Sequence, residues 1–374
     1  MKQKNKSLWG LIKENKIKSA VIVVGVLFFI TAVTGGIVYG KLHEYYQQSN
    51  YVADEEPKTE KIIEETEKEP EDEELREIHE QMAKYSSGEP ITTAGNVYNI
   101  LLVGIDKVKV KEDNGANSDS MILVSINYET KEISMISLMR DMYVDIPGVG
   151  HRKLNAAYAN GGAQLLMDTV QENLRVQVDR YIVVAFKDMV QIVDEIGEIY
   201  ITFTDQEARS ANETITSMCK KLKLSDKLDE YLLPSGGTYA CNGIRAVAYA
   251  RIRKVGNADY QRTSRQREVL SKLVSNLKQM DINDLDRLAN KLLPSITHNI
   301  PESEYWGLVV RAPEMLGYQI KQDRIPYDNM FQGRNGSLVP FWDETITKLK
   351  ETLYSTKITL PATSNNSDEM NTGE

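Results

Sequence analysis

Apolar positions along the chain fall into three regimes. Residues 20–40 read AVIVVGVLFFITAVTGGIVYG, a run with no charge. As an α-helix of about 1.5 Å rise per residue it spans about 31 Å, the depth of a bilayer core. A cleaved signal peptide is the competing reading. Its apolar region usually runs about 7 to 15 residues, and Thr34-Gly35-Gly36 is only a weak cleavage signal. Residues 41–94 are polar and charged, with 61–85 partly helical in pattern, which suits a stalk and a solvated spacer. From about residue 95, short apolar runs of strand type begin at 98–105, 120–127 and 132–138, the last two joined by a turn at 128–131. Helical periodicity follows the glycine pair Gly161-Gly162 over 163–174. A buried strand at 180–185, a helix at 186–196 and a strand at 199–203 come next. This alternation predicts an α/β fold. It is a mixed central β-sheet flanked by helices on both faces, an α-β-α sandwich, preceded by one transmembrane helix.

Further along, residues 249–266 read YARIRKVGNADYQRTSRQ. They gather Arg251, Arg253, Arg262 and Arg265 around a single acid, Asp259. Val255-Gly256-Asn257 breaks one helix, and another starts near Asp259. In that second helix Arg262, Gln266, Val269, Leu273 and Leu277 recur at helical spacing, so Arg262 begins an otherwise apolar, inward seam. A cation at the positive end of a helix dipole is awkward without an anion beside it, and guanidinium forks match phosphate oxygens in pairs. Pairing with surface carboxylates is the bland alternative. Three strand ends carry polar residues as well: Asp106, Ser118-Asp119-Ser120 and Arg140-Asp141. Ligands gather at such ends. Carboxylates beside several arginines are the composition that holds a magnesium ion on a pyrophosphate.

Charge divides the 374-residue chain rather than covering it. Lys2, Lys4, Lys6, Lys13, Lys16 and Lys18 precede the apolar run, whereas an acid-rich segment at 54–80 follows it and accounts for the net charge of −9. Basic before and acidic after places the N-terminus in the cytoplasm and the bulk of the chain outside, anchored to the membrane by one helix. The rest is only mildly acidic, which excludes a dedicated nucleic-acid binder. Cys219 and Cys241 then face an oxidising compartment, and a disulfide between them is expected. His43, His79, His151 and His298 are scattered without zinc spacing, and with no G-x-S-x-G a Ser-His-Asp hydrolase is excluded. The division is a basic segment at 1–19, the anchor at 20–40, stalk and linker at 41–94, an extracytoplasmic domain at 95–356 and a disordered tail at 357–374.

The ordered motifs NILLVGID, SDSMILVSI, ISLMRDMYVDIPG, KLNAAYANGGA, YIVVAFKDMVQIVDEIG, AYARIRK and QRTSRQ resemble the LytR-CpsA-Psr family of bacterial cell-wall ligases. The resemblance is close over 97–290 and looser to about 355. It implies a phosphotransferase that moves an anionic glycopolymer, such as teichoic acid or capsular polysaccharide, from an undecaprenyl pyrophosphate carrier to peptidoglycan. By that resemblance Asp106 and Asp119 hold a magnesium (or manganese) ion. Arg140, Arg251, Arg253 and Arg262 bind or activate the pyrophosphate. Asp141 either orients Arg140 or helps deprotonate the acceptor. Arg265 steadies the arginines that grip the carrier headgroup, and Lys107 or Lys109 supplies further charge. The family's D-x-R and R-S-D arginines are replaced here by Lys107-Val108 and Asn117, and lysine lacks the bidentate fork. The family's polyprenyl tunnel suggests a lining role for some of Val183, Val184, Phe186, Met189, Val190, Ile192 and Val193, against the commoner fate of plain core. A polyprenyl pyrophosphate hydrolase and a lipid-binding regulator without catalysis are the alternative functions.

Overall fold

The structure is a computed structural model that describes residues 40–54, 73–88, 90–105, 118–256 and 259–355. Residues 20–39 of the expected anchor and the expected tail lie outside these, as do Asp106, Lys107 and Lys109. No described helix is long and apolar enough to cross a membrane.

Helix α1 (residues 40–48) and strand β1 (Asn50–Tyr51) lead to α2 (Glu73–Gly88). A meander follows of β2 (Val97–Ile105), β3 (Ser118–Asn127) and β4 (Glu132–Leu138), then a hairpin of β5 (Tyr143–Ile146) and β6 (Gly150–Lys153). Helix α3 (Asn155–Leu174) crosses to β7 (Arg180–Ala185), which runs directly into α4 (Phe186–Ile196). Next come β8 (Ile199–Phe203), α5 (Asp205–Leu222), the short α6 (Leu228–Tyr231), β9 (Gly237–Cys241), α7 (Gly243–Ala250) and α8 (Asp259–Leu277). The remainder is α9 (Ile282–Leu292), β10 (Thr297–His298), α10 (Glu302–Met315), β11 (Gln319–Ile325), a hairpin of β12 (Phe331–Arg334) and β13 (Ser337–Pro340), and α11 (Trp342–Tyr354).

The central sheet is mixed, in the order β1-β10-β7-β2-β3-β4-β11. One face sends Leu101, Val103, Leu123 and Ile136 into a core shared with α2, α3 and α11. The other face, with Ile100, Leu102, Val124 and Ile182, is covered by helices of the second half, among them α8 and α10. Helices thus flank both faces, as the alternating pattern requires.

Four expectations change. Strand β8 does not join the central layer; it pairs with β9 in a separate two-stranded sheet. Its strict alternation of buried and exposed residues is that of a strand with one wet face, unlike the nearly continuous burial of β2 and β3. Helix α3 begins at Asn155, eight residues earlier than the glycine pair suggested, and continues across a kink where Gly162 holds φ +67°. The segment expected to be a solvated spacer docks on the domain at both described ends. Strand β1 extends the sheet, and Leu75, Ile78 and Met82 of α2 are each only 4% exposed. Their helical stripe was hidden inside an acid-rich run. Lastly, Cys219 and Cys241 are free thiols. Both are buried, the first between α4, α5 and α7 and the second beneath β8 and α8, so each fills a different core cluster.

Candidate functional site

Register decides which strand ends meet. Because β3 runs antiparallel to both β2 and β4, its first residues lie beside the last residues of its neighbours, with Gly104 opposite Ser120 and Ile122 opposite Ser137. Strand β7 is parallel to β2, so Ala185 sits opposite Ile105 at the same end. Asp119 from β3 and the Arg140-Asp141 pair after β4 therefore share one edge of the sheet. Helix α7 brings the arginine loop to that edge through a close approach. A Cβ on Gly243 would stand 2.1 Å from the Val190 carbonyl oxygen, and the Gly243 amide donates to Asp194 at 2.7 Å. The first turn of α8 adds Asp259 and Arg262.

Three carboxylates and several cations interlock there. Arg140 donates through Nε to Asp259 at 3.2 Å and through Nη1 to Asp119 at 3.3 Å, and stands 3.4 Å from Asp141. Arg253 donates to the same Asp119 oxygen at 2.6 Å. Lys153 holds Asp141 from the other side at 3.0 Å. Arg262 lies 3.3 Å from Asp259 and is 2% exposed, yet its Nε and Nη1 have no hydrogen-bond partner. Burial pushes its guanidinium down to about 10, against the pull of Asp259. Burial alone would lift the Asp141 carboxyl, but Lys153 and Arg140 hold it below the usual carboxylate range. Asp141 thus sits between Arg140 at 3.4 Å and Lys153 at 3.0 Å.

The cluster closes one end of a cavity of about 440 Å³. Asp119, Ser120, Arg251, Arg253, Arg262 and Gln266 line its polar end, where Ser120 donates to Gln266 at 3.0 Å. Leu102, Ile122, Ile182, Met189, Val269 and Leu270 line its body. Arg251 stacks over the Phe186 ring at 5.3 Å. Of the apolar residues weighed from sequence, Val184, Phe186 and Met189 reach the cavity, whereas Val183, Val190 and Val193 are core.

The family model of the LytR-CpsA-Psr family matches residues 53–355, most of the chain. The chain belongs to the LytR-CpsA-Psr family. It is 32% identical over 243 residues to Biofilm regulatory protein A of Streptococcus mutans, covering 62% of this chain and 56% of that protein. The chain thus spans little more than half the length of that relative. It is also 28% identical over 264 residues to the polyisoprenyl-teichoic acid–peptidoglycan teichoic acid transferase TagV of Bacillus subtilis, covering 68% and 63% of the two chains. The solved structure of TagT bound to LI-WTA aligns with a TM-score of 0.53 at 25% identity, over 72% of this chain and 93% of that one.

Not every arginine of this LytR-CpsA-Psr chain faces the cavity. Arg265, 4% exposed, does not line the cavity. It donates to Glu207 at 2.9 and 3.0 Å and to the carbonyls of Ile252 and Val255 at 3.2 and 3.3 Å, so it staples the loop that carries Arg251 and Arg253. One contributor, Lys153, escaped the sequence reading, and another, Asp259, was seen there without a role. Asp259 was visible as the lone acid of its stretch, and its spacing of three from Arg262 was the available signal. Lys153 sits within a recognised motif but pairs with Asp141 through the β5–β6 hairpin, which no local pattern reveals. Among the described residues no group of three His, Cys, Asp or Glu side chains could hold a metal. A magnesium ion needs fewer, since it takes one or two carboxylates and draws its other ligands from water and substrate phosphates. Asp119 offers one oxygen donor at the cavity's polar end, with its Oδ1 shared by Arg140 and Arg253.

Proposed function

We propose that the chain is a membrane-anchored, extracytoplasmic phosphotransferase that attaches an anionic glycopolymer, teichoic acid or capsular polysaccharide, to peptidoglycan from an undecaprenyl pyrophosphate carrier. The observation that carries this reading is the continuity of a cation-rich end with an apolar body in one cavity. Such a cavity matches an amphiphile with a pyrophosphate head and a hydrocarbon tail. The name of the relative TagV, and TagT's structure with LI-WTA, support the substrate class.

Arg140, Arg253 and Arg262 grip the pyrophosphate oxygens, displacing their present contacts with Asp119 and Asp259. As an acceptor hydroxyl of peptidoglycan attacks the polymer-side phosphorus, the new O–P bond replaces the bridging P–O bond, the hydroxyl proton passes to the departing phosphate or to water, and negative charge collects on that lipid-side phosphate. Guanidinium groups already aimed there stabilise that charge without reorganisation. Asp141 keeps Arg140 oriented, and Arg251 closes the cavity beside Phe186. Asp119, together with Asp106, would hold a magnesium or manganese ion that adds further charge stabilisation.

The test is an assay of purified protein with a lipid-linked pyrophosphoryl sugar, with and without acceptor glycan. Acceptor-dependent transfer is the expected result. Release of the headgroup to water alone would assign a hydrolase, and tight binding with no turnover would assign a regulator.

A further inference from the structure

The segment after the apolar run 20–40 is strapped to the domain from its first residues. In α1, Lys41 stands 3.5 Å from Asp286, the Tyr45 hydroxyl bonds the same carboxylate, and His43 lies 2.6 Å from Glu302. Tyr46, 8% exposed, packs rings against Tyr51, His298 and Tyr305 at 5.7 to 6.1 Å. Strand β1 then pairs with β10, with the Asn50 amide donating to Ile296 at 3.1 Å and the Val52 amide to His298 at 2.8 Å. A helical rise of about 1.5 Å per residue puts Tyr45 only roughly 8 Å beyond Gly40. No spacer therefore separates the end of the apolar run from α9 and α10.

Exposed apolar residues fall largely on these same elements. Of the large hydrophobic side chains exposed among the described residues, Tyr51 (41%), Val52 (40%), Leu285 (36%) and Val310 (75%) belong to β1, its exit, α9 and α10, and only Tyr200 and Phe341 lie elsewhere. Trp306 and Val310, one turn apart, share a face of α10. Aromatic side chains at a membrane–water boundary place apolar rings toward lipid and polar tips toward water.

We propose that the face formed by α1, β1, α9 and α10 lies against the outer surface of the bilayer that holds the anchor. This rests on the reading of 20–40 as a membrane anchor. The occupant is the lipid surface itself, because the chain enters this face directly from a run of bilayer length. The orientation has a functional use. Helix α9 packs on α4, with Lys291 2.8 Å from Glu195, and α4 supplies Phe186 and Met189 to the cavity wall. The apolar body of the cavity is thereby held next to the leaflet from which a lipid-linked substrate must come.

The experiment uses full-length protein in phosphatidylglycerol vesicles containing nitroxide-labelled lipid. Single cysteines L285C, V310C and T347C carry a fluorophore; the buried native thiols stay unlabelled in folded protein. Thr347 is exposed on α11, which packs on the face of the central sheet opposite to α10. The expected result is loss of emission at 285 and 310 and none at 347. Asn50→Pro removes the amide that bonds Ile296 and should abolish the difference while the circular dichroism of the domain is kept. Equal quenching at all three positions in vesicle-bound protein overturns the proposal and leaves the anchor standing. Protein that floats free of the vesicles overturns both. A Val310 probe whose emission follows protein concentration in detergent, and not lipid, makes a second copy the occupant and also overturns it.

Discussion

Arg262 and Arg265 stand three residues apart on one helix, both nearly inaccessible to water, yet they are held in opposite ways. Arg265 uses Nε, Nη1 and Nη2 in hydrogen bonds to Glu207, Ile252 and Val255. Arg262 leaves Nε and Nη1 without a hydrogen bond, Nη1 standing 4.0 Å from Asp119, and shares Asp259 with Arg140. A buried guanidinium with every donor engaged belongs to the framework, because its desolvation is repaid inside the protein. One with unused donors facing a cavity is destabilising until an anion arrives. Burial and sequence spacing are alike for the two, so hydrogen-bond satisfaction is what separates cradle from clasp.

The largest expected effect tests the clasp. Arg265→Met leaves Glu207 charged and without its partner, and breaking a buried pair typically costs about 3–5 kcal/mol. For a domain of this size that corresponds to a melting temperature lower by on the order of 10 °C. Scanning calorimetry of the variant beside the parent checks it; an unchanged melting temperature would dissolve the distinction between the two arginines.

Arg262→Met should do the reverse. It fills the seam of Val269 and Leu273 with a side chain that has no donors to satisfy, and Asp259 keeps Arg140. The ligand-free melting temperature is expected to stay level or rise, while transfer falls by about 10²–10³, the usual loss when one preorganised donor to a charged transition state is removed. A variant that melts far below the parent and still transfers polymer would make Arg262 framework.

A smaller effect probes the acid between them. Asp259→Asn removes the carboxylate that tempers both Arg140 and Arg262, so the empty protein should lose about 1–3 kcal/mol. An added anion can take its place. Inorganic pyrophosphate should therefore raise the melting temperature of the variant more than that of the parent. An equal rise in both would mean that Asp259 does not stand in for the ligand.

Much of this was legible in the chain. The strands at 98–105, 120–127 and 132–138, the turn between the last two, and the start of α8 at Asp259 all follow from period and punctuation, which are local signals. The inward placement of Arg262 was legible too, since four apolar or amide positions continue its seam. What could not be read was relational. Nothing near Arg265 announces Glu207, 58 residues away, and nothing in the acid-rich run announces that Leu75, Ile78 and Met82 find the core. The seam marked Arg262 as inward, and only the tertiary fold supplied the partners that hold Arg265. The same holds for Cys219 and Cys241, whose solitude suggested pairing until packing assigned them to separate clusters.

The smallest effect is in pH and is read at the clasp. Burial raises the Glu207 carboxyl, but the Thr204 amide, the Arg265 guanidinium and the Thr204 hydroxyl together bring it below its ordinary value. A carboxylate depressed in the folded state contributes stability that is fully present above its unfolded value, about 4.3, and is lost as pH falls through the lower folded value. The parent should therefore lose this share only below about pH 4.3. Glu207→Gln keeps the shape and the acceptor oxygen but cannot titrate. It should melt lower than the parent at pH 7, where Arg265 faces an amide in place of a carboxylate, and its stability should decline less steeply between about pH 5 and 3. The two curves converge toward the acid end, because the parent's Glu207 is by then protonated as well. Arg262→Met should leave that slope as it is in the parent, since no carboxylate of the clasp touches Arg262. A slope that flattens in Arg262→Met and not in Glu207→Gln would place the acid-sensitive pair in the cradle and reverse the assignment of the two arginines.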